Sequence, residues 1–317
     1  MKYKVCTRCV TFNHEPYILD ALGGFVMQQT TFPVVYVLVD DASTDKTAEL
    51  IKVFVNEHFD LQDKSVAYEK ETEYAHVIFA RHKTNMNCYF AVLLLRENHY
   101  SQRKPKRPYY AEWSANAKYH AVCEGDDYWI DPHKLQHQVD FLDSHPEHSM
   151  CFHAVENVNP AGGKQLNSRY EKDVEECPIE DFFKVGGRYA PTCSLLYKGN
   201  VLEPRPSFYQ KTKVGDSPLI LTMFLRGKVG FLKAVMGRYR VDVPGSWSQR
   251  QKQLSFSQII GKFKAGRAYW DEVDKYTEGK YVKLIRQRKR HTWLTLGKLC
   301  YYFIVNKFVG LKGNHVK

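Results

Sequence analysis

Tyr119-His-Ala-Val-Cys-Glu-Gly-Asp-Asp-Tyr-Trp-Ile-Asp-Pro-His-Lys-Leu135 is the stretch that decides the reading of this chain. Tyr119 to Cys123 holds no turn residue and predicts a short strand. It breaks at Glu124-Gly125-Asp126-Asp127, three carboxylates in four residues. Asp131-Pro132 predicts a helix start, with Asp as N-cap and Pro at the first helical position. Leu135, Val139 and Leu142 follow at i, i+4 and i+7, one apolar helix face. The carboxylates therefore stand between a strand and a helix, and open α/β sheets bind ligands at the carboxyl ends of their strands. Clustered carboxylates repel unless a cation shares them. Hard divalent ions such as Mg²⁺ or Mn²⁺ prefer oxygen and join carboxylates to substrate phosphates. A lone Asp-Asp pair more often marks a solvated acidic turn, so a second acidic block has to decide.

That block lies earlier. Residues 2–10 predict a first strand, Thr11 to Pro16 a loop, and Ile18, Leu22 and Phe25 a helix face with Gly23-Gly24 permitting close packing. Val34 to Val39 is a continuous apolar run, as expected of a strand buried on both faces. It ends in Asp40-Asp41-Ala42-Ser43-Thr44-Asp45, where Ser43 and Asp45 are suited to cap a helix through Leu50, Ile51, Phe54 and Val55. His76 to Ala80 predicts a third strand, followed by Arg81. Alternating strands and helices imply a parallel sheet with right-handed crossovers. Arg96 to Pro108 reads as an inserted, solvated basic loop. Cys151 to Asn157 and Pro191 to Tyr197 predict later strands.

Taken together and in this order, Thr11-Phe12-Asn13-His14-Glu15, Val39-Asp40-Asp41-Ala42-Ser43-Thr44-Asp45 and Glu124-Gly125-Asp126-Asp127-Tyr128-Trp129 resemble the family 2 glycosyltransferases of GT-A fold, nearest to bacterial capsule and cell-surface polysaccharide enzymes. The resemblance spans roughly residues 2–250. It implies an α/β, Rossmann-like, mostly parallel sheet flanked by helices. A catalytic domain at 1–250 would divide into a nucleotide-sugar half (about 1–130) and an acceptor half (about 131–250). The activity implied is inverting, metal-dependent transfer of a sugar, most simply from a UDP-sugar, to a surface polysaccharide or lipid-linked glycan. By position, Phe12 and Asn13 would line the nucleotide pocket and Asp41 would hydrogen-bond the base. Arg81 would lie near base or diphosphate, Asp126 would bind the donor ribose or sugar, and Asp127 would hold Mn²⁺ or Mg²⁺. Asp216, in Val214-Gly215-Asp216-Ser217-Pro218, would be the general base; its bland alternative is the N-cap of the next helix. Arg240 would be a donor-side residue in a segment, 237–248, that folds over the diphosphate. Asp242 stands near the place where relatives carry a His. Thr192 and Ser194 are acceptor-side candidates.

Charge is unevenly placed. Residues 251–317 hold 15 Lys and Arg against 4 Asp and Glu, the whole of the net +11, while residues 1–250 are neutral. Gln258 to Tyr276 and Lys280 to Val309 predict two helices of a basic C-terminal extension. Basic residues beside Trp293, Leu294 and Tyr301 to Val305 suit either a helix lying in a membrane interface, with peripheral contact through 280–311, or a helix docked on the catalytic domain. Strand geometry puts Cys6 and Cys9 on opposite faces, a poor zinc half-site, so the eight cysteines read as reduced thiols. No signal peptide or spanning segment is visible, and the expected location is the cytoplasm, at the inner face of the membrane. Nucleotidyltransfer would need an early Gly-rich phosphate loop, which the chain lacks. Nucleic-acid binding is not expected, because the acidic cleft of the body would repel phosphate without metal. The remaining rival is a catalytically inactive protein of this fold that binds a membrane or another anionic partner through its basic tail.

Overall fold

A computed structural model describes residues 2–212, 214–243, 249 and 254–294. The strands are β1 (Tyr3–Thr11), β2 (Val34–Asp40), β3 (Phe59–Asp60), β4 (Tyr68–Glu71), β5 (Ala75–His82), β6 (Cys88–Leu95), β7 (Ala117–Val122), β8 (Tyr128–Trp129), β9 (His148–Val158), β10 (Lys164–Asn167), β11 (Leu196–Lys198) and β12 (Lys228–Arg240). They form one mixed sheet in the order β3-β5-β6-β2-β1-β7-β11-β9-β12-β8, with β4 on β5 and β10 on β9. The central block β6-β2-β1-β7 is parallel. Every residue of β2 is buried, as its unbroken apolar run requires.

Helices α1 (Ile18–Val26), α2 (Thr47–His58), α3 (His99–Gln102), α4 (Ala111–Ser114), α5 (Lys134–Ser144), α6 (Ile179–Val185) and α7 (Asp216–Arg226) cover the sheet, followed by a C-terminal helix, Phe256–Tyr276. Ile18, Leu22 and Phe25 of α1, Ile51 and Phe54 of α2, and Leu135, Val139 and Leu142 of α5 enter one core with Val5, Cys9 and Leu38. Cys6 joins a different core with Val35, Val37 and Val39, so the Cys6/Cys9 pair does straddle the sheet. A third core lies under α6 and α7 and takes Tyr269, Trp270, Val273 and Ile285 from the C-terminal extension.

Several expectations need correcting. β5 is antiparallel to β6, and the parallel neighbour of β2 on the side away from β1 is β6, whose apolar run the sequence reading passed over. α5 starts at Lys134 and not at Pro132; Asp131 instead accepts a hydrogen bond from His133 N at 2.7 Å, tightening the turn. The segment 191–197 is a 3₁₀ turn, Thr192–Ser194, before the three-residue β11. Phe256–Tyr276 and residues 282–294 are helical, whereas 295–309 of the predicted second helix lies outside the described residues. Among the described residues, no helix is long and apolar enough to cross a membrane.

Adjacent glycines in α1 do different work. A Cβ on Gly24 would stand 2.9 Å from the backbone N and O of Trp129, whereas Gly23 faces open space. Gly24→Ala should cost about 1–3 kcal/mol through overpacking. Gly23→Ala should be neutral or stabilise by about 0.5–1 kcal/mol, as expected in a helix interior. Urea denaturation of both variants checks this; equal effects would refute the close approach of α1 to β8.

Candidate active site

Three loops meet at the carboxyl end of the parallel block. The loop after β7 stays beside β1, because Cys123 N and Gly125 N donate to Arg8 O and Val10 O at 3.0 and 3.1 Å. Glu124 Oε2 in turn accepts from Val10 N at 3.1 Å. Asp127 is nearly buried, and its Oδ1 accepts from Arg240 N at 2.9 Å. Asp126 is more open, half-buried at the same turn. Burial, with the charges of Asp126 and Glu124 adding to it, raises the Asp127 carboxyl well above the usual range. Burial likewise lifts Glu124 to about 7, against the lowering pull of Arg8.

Asp216 approaches from the other half of the chain. It is the first residue of α7; Gly215 occupies the N-cap, and no side-chain capping bond is made. The carboxylate is therefore not consumed as a helix cap. Burial raises its proton affinity and Arg8 lowers it. Burial pushes the hydroxyl of Tyr239 on β12 upward, and the negative charges of Asp127, Asp126 and Asp216 add to it.

The loop after β2 is built from its own side chains. Asp40 accepts from Ser43 N at 3.0 Å, and Asp45 Oδ1 accepts from Thr47 N at 2.9 Å at the start of α2. Asn13 has a left-handed φ of 55°, and its Oδ1 accepts from Thr44 N at 2.8 Å, clamping the first loop to the second. Phe12 beside it is 41% exposed.

Other expected residues are placed differently from the reading above. Asp41 is buried, its oxygens taking His99 N at 2.9 Å, Tyr100 N at 3.0 Å and Lys106 Nζ at 2.9 Å. It anchors the loop after β6 and does not present a free acceptor to a base. The basic insertion is largely solvated, with Arg96, Arg103, Lys104 and Arg107 exposed, while Lys106 reaches inward to Asp41. Arg81 is the next-to-last residue of β5, an antiparallel strand, and stands opposite Tyr89 near the start of β6. That is the end of the sheet remote from the carboxylates, where Arg81 faces Asp63 at 3.9 Å. Arg240 donates to Asp126 O at 2.7 Å, pairs with Asp20, and lies over the rings of Tyr17 and Tyr128. It braces the carboxylate loop from beneath. Ser194 is buried, its hydroxyl donating to Pro191 O at 2.6 Å, so it is not open to an acceptor. Asp242 is exposed with φ 59°; residues 244–248 of the segment expected to cover a diphosphate lie outside the described residues.

Arg8, Lys106 and Lys134 escaped sequence analysis. The one available signal was a charge inside an apolar pattern, clearest for Arg8 within Val5 to Val10.

Among the described residues, no three His, Cys, Asp or Glu side chains are grouped as a closed metal site. An ion here would take one or two carboxylates and complete its shell with substrate phosphate and water, the habit of Mg²⁺. The donor set fits that role. Asp126 and Asp127 crowd negative charge, and Arg240, the cation beneath them, is already committed to Asp20 and to a carbonyl.

No family model matches the chain. It is 31% identical over 247 residues to an uncharacterized protein of Mycobacterium bovis and, equally, to one of Mycobacterium tuberculosis. The match takes in 75% of this chain but 59% of those relatives' length. Among solved structures it resembles Staphylococcus aureus TarS residues 1–349 in complex with UDP-GlcNAc, with TM-score 0.57 and 17% identity over 86% of this chain and 67% of that one. It also resembles the mannosyltransferase PcManGT of Pyrobaculum calidifontis in complex with GDP-Man and Mn²⁺, with TM-score 0.50 and 12% identity over 99% and 82%. The chain shares the fold of these two structures, a mixed α/β sheet flanked by helices.

Lys134 lies in the core under this site. Its ammonium is 3.8 Å from the centre of the Trp129 ring and has no hydrogen-bond partner in the structure. Burial pulls its pKa down to about 7. In the unfolded chain a lysine keeps its proton to about 10.4. Between those values the unfolded chain binds more protons, so this group's contribution to stability rises with pH. Lys134→Met should therefore gain about 1–3 kcal/mol at pH 7, and the gain should shrink toward pH 9.5. Urea unfolding of both proteins at the two pH values tests it; a difference that does not change with pH would refute a buried, titrating amine.

Proposed function

We propose that this protein is an inverting, metal-dependent glycosyltransferase of hexosyltransferase type. It would move a sugar from a nucleotide-sugar, a UDP-sugar first among candidates, to a growing surface polysaccharide or lipid-linked glycan. The observation that carries the reading is the Asp126-Asp127 turn after β7, held by the backbone and side chain of Arg240, together with an Asp216 carboxylate left free of capping at the start of α7. A transfer with inversion needs charge compensation on the leaving-group side and a carboxylate on the opposite face. Two separated acidic elements suit those two tasks.

Asp127, with Asp126, would hold Mn²⁺ or Mg²⁺, which supplies Lewis-acid stabilisation of the departing diphosphate when bound. Phe12 and Asn13 would border the nucleotide. Arg240 would keep the Asp126-Asp127 turn in place through its contacts to both residues. The acceptor hydroxyl would form a bond to the anomeric carbon as its proton passes to the Asp216 carboxylate. The bond from that carbon to the diphosphate oxygen breaks, and the nucleoside diphosphate departs with the electron pair. Residues 1–250 would form the catalytic unit. The basic face of 280–294, with exposed Trp293 and Leu294, supports peripheral contact with an anionic membrane.

Calorimetric titration of UDP and GDP with and without Mn²⁺ tests the donor site. We expect UDP binding that needs Mn²⁺ and is lost in Asp127→Ala. GDP preference would change the donor, and failure of both nucleotides to bind would overturn the assignment. Asp216→Asn should retain nucleotide binding and lose turnover by about 10²–10⁴-fold, the usual contribution of a general base. Undiminished turnover would remove Asp216 from the mechanism.

A further inference from the structure

Residues 282–294 form a helix whose Ile285 is buried in the core under α6 and α7. Arg288 follows three residues later, on the same helix face. Its guanidinium reaches the end of α6: Nη1 donates to Lys184 O at 2.5 Å and Nη2 to Val185 O at 3.4 Å. The last carbonyls of a helix have no partner within it, and a cation is favoured beside them. Arg288 is thus a C-terminal cap for α6, supplied from the far end of the chain.

The chain leaves α6 at Gly186, with φ 65°, where a Cβ would stand 3.0 Å from Arg288 Nη2. Glycine meets both demands. The 3₁₀ turn Gly186–Tyr189 begins here, and its later carbonyls are taken by a second arginine. Arg169 Nη2 donates to Arg188 O at 2.8 Å and Arg169 Nε to Tyr189 O at 3.1 Å. Two guanidinium groups therefore hold the segment, Arg169 from the body and Arg288 from the extension. The start of α7 rests against this segment. A Cβ on Gly187 would lie 3.5 Å from Ser217 N and 3.4 Å from Ser217 Cβ. Ser217 adjoins Asp216, and its hydroxyl is 3.5 Å from that of the buried Tyr269. No side-chain cap secures the beginning of α7, so its first turn depends on this packing.

We propose that Arg288 is a positioning residue for the transfer. By capping α6 and fixing the turn after it, Arg288 sets the first turn of α7 and so aims the Asp216 carboxylate at the acceptor hydroxyl. A general base must stay within hydrogen-bond reach of the proton it takes. The proposal rests on Asp216 as the base and adds the part of the extension that places it.

The test compares full-length wild type, Arg288→Ala and Arg288→Lys by hydrogen–deuterium exchange with mass spectrometry. Arg288→Ala should speed exchange across residues 186–190 and, through Ser217, across 215–220. Arg288→Lys keeps donors near the two carbonyls and should restore most of the protection. Nucleoside diphosphate release is then followed from UDP-N-acetylglucosamine or GDP-mannose, according to the nucleotide that binds. Turnover should fall about ten- to a hundredfold in Arg288→Ala, the scale of a reacting group displaced by a distant change. Mn²⁺-dependent nucleotide affinity should stay unchanged. In an Asp216→Asn background the same substitution should cost nothing further, because it acts through that carboxylate. Faster exchange confined to 186–190, or an equal loss of turnover in both backgrounds, overturns the proposal. If Arg288→Ala does not fold, Arg288→Gln carries the same comparison. Wild-type turnover in Asp216→Asn alone would instead sink the base assignment, whatever the exchange data show.

Discussion

The site depends on a parallel seam that outlasts its strand. Regular β1–β7 pairing reaches Arg8 and Val122, yet backbone bonds from Cys123 and Gly125 continue it along β1. This carries the acidic loop up to Thr11 before it turns. The approach is so close that a Cβ on Gly125 would lie 2.7 Å from Thr11 Oγ1 and 2.9 Å from His14 Nδ1. A glycine among three carboxylates is therefore a packing requirement. It lets Glu124, Asp126 and Asp127 be set by backbone geometry before any ligand arrives, and preorganised charge of that kind costs no rearrangement during reaction.

Cations are distributed so that this charge stays usable. Arg240 satisfies the loop from below, spending its side chain on Asp20, on a carbonyl and on two tyrosine rings. Arg8 stands on the other side, beside Glu124. Lys134 is nearer the core, over Trp129, with a depressed pKa that reduces its worth as a permanent countercharge. Burial and neighbouring carboxylates make charge on Asp127 costly, and a divalent ion shared with a diphosphate would relieve that crowding.

Much of this was legible from local pattern. The run Val34–Val39 announced a doubly covered strand, and the spacing of Leu135, Val139 and Leu142 announced the buried face of α5. What escaped reading was tertiary. A hairpin and a crossover can both follow an apolar strand, and Asn85-Met86-Asn87 does not by itself distinguish them. Taking β5 as parallel put Arg81 at the wrong end of the sheet and hid Cys88–Leu95. The loop beside the site is the one after β6, where α3 offers two backbone N–H groups to Asp41. Asp41 looked like a ligand group because it ends a buried strand. A loop almost sixty residues later takes up its carboxylate, and no spacing rule reports such a partner.

The basic extension shows the same limit of composition as a guide. Its excess charge left open whether it lies on a membrane or docks on the body; Tyr269, Trp270, Val273 and Ile285 are buried in the core shared with α6 and α7. Ser207 donates to Glu272 at 2.6 Å, Arg288 donates to the carbonyls of Lys184 and Val185, and the Tyr269 hydroxyl lies beside Ser217. Ser217 is the neighbour of Asp216, so the extension supports the helix that presents the candidate base. Long cationic side chains can cover apolar surface while their charged ends stay in water. One segment can thus complete the core on one face and offer positive charge on the other. Its charge bears on what the protein meets; its aromatic face bears on whether Asp216 is held where a base is needed.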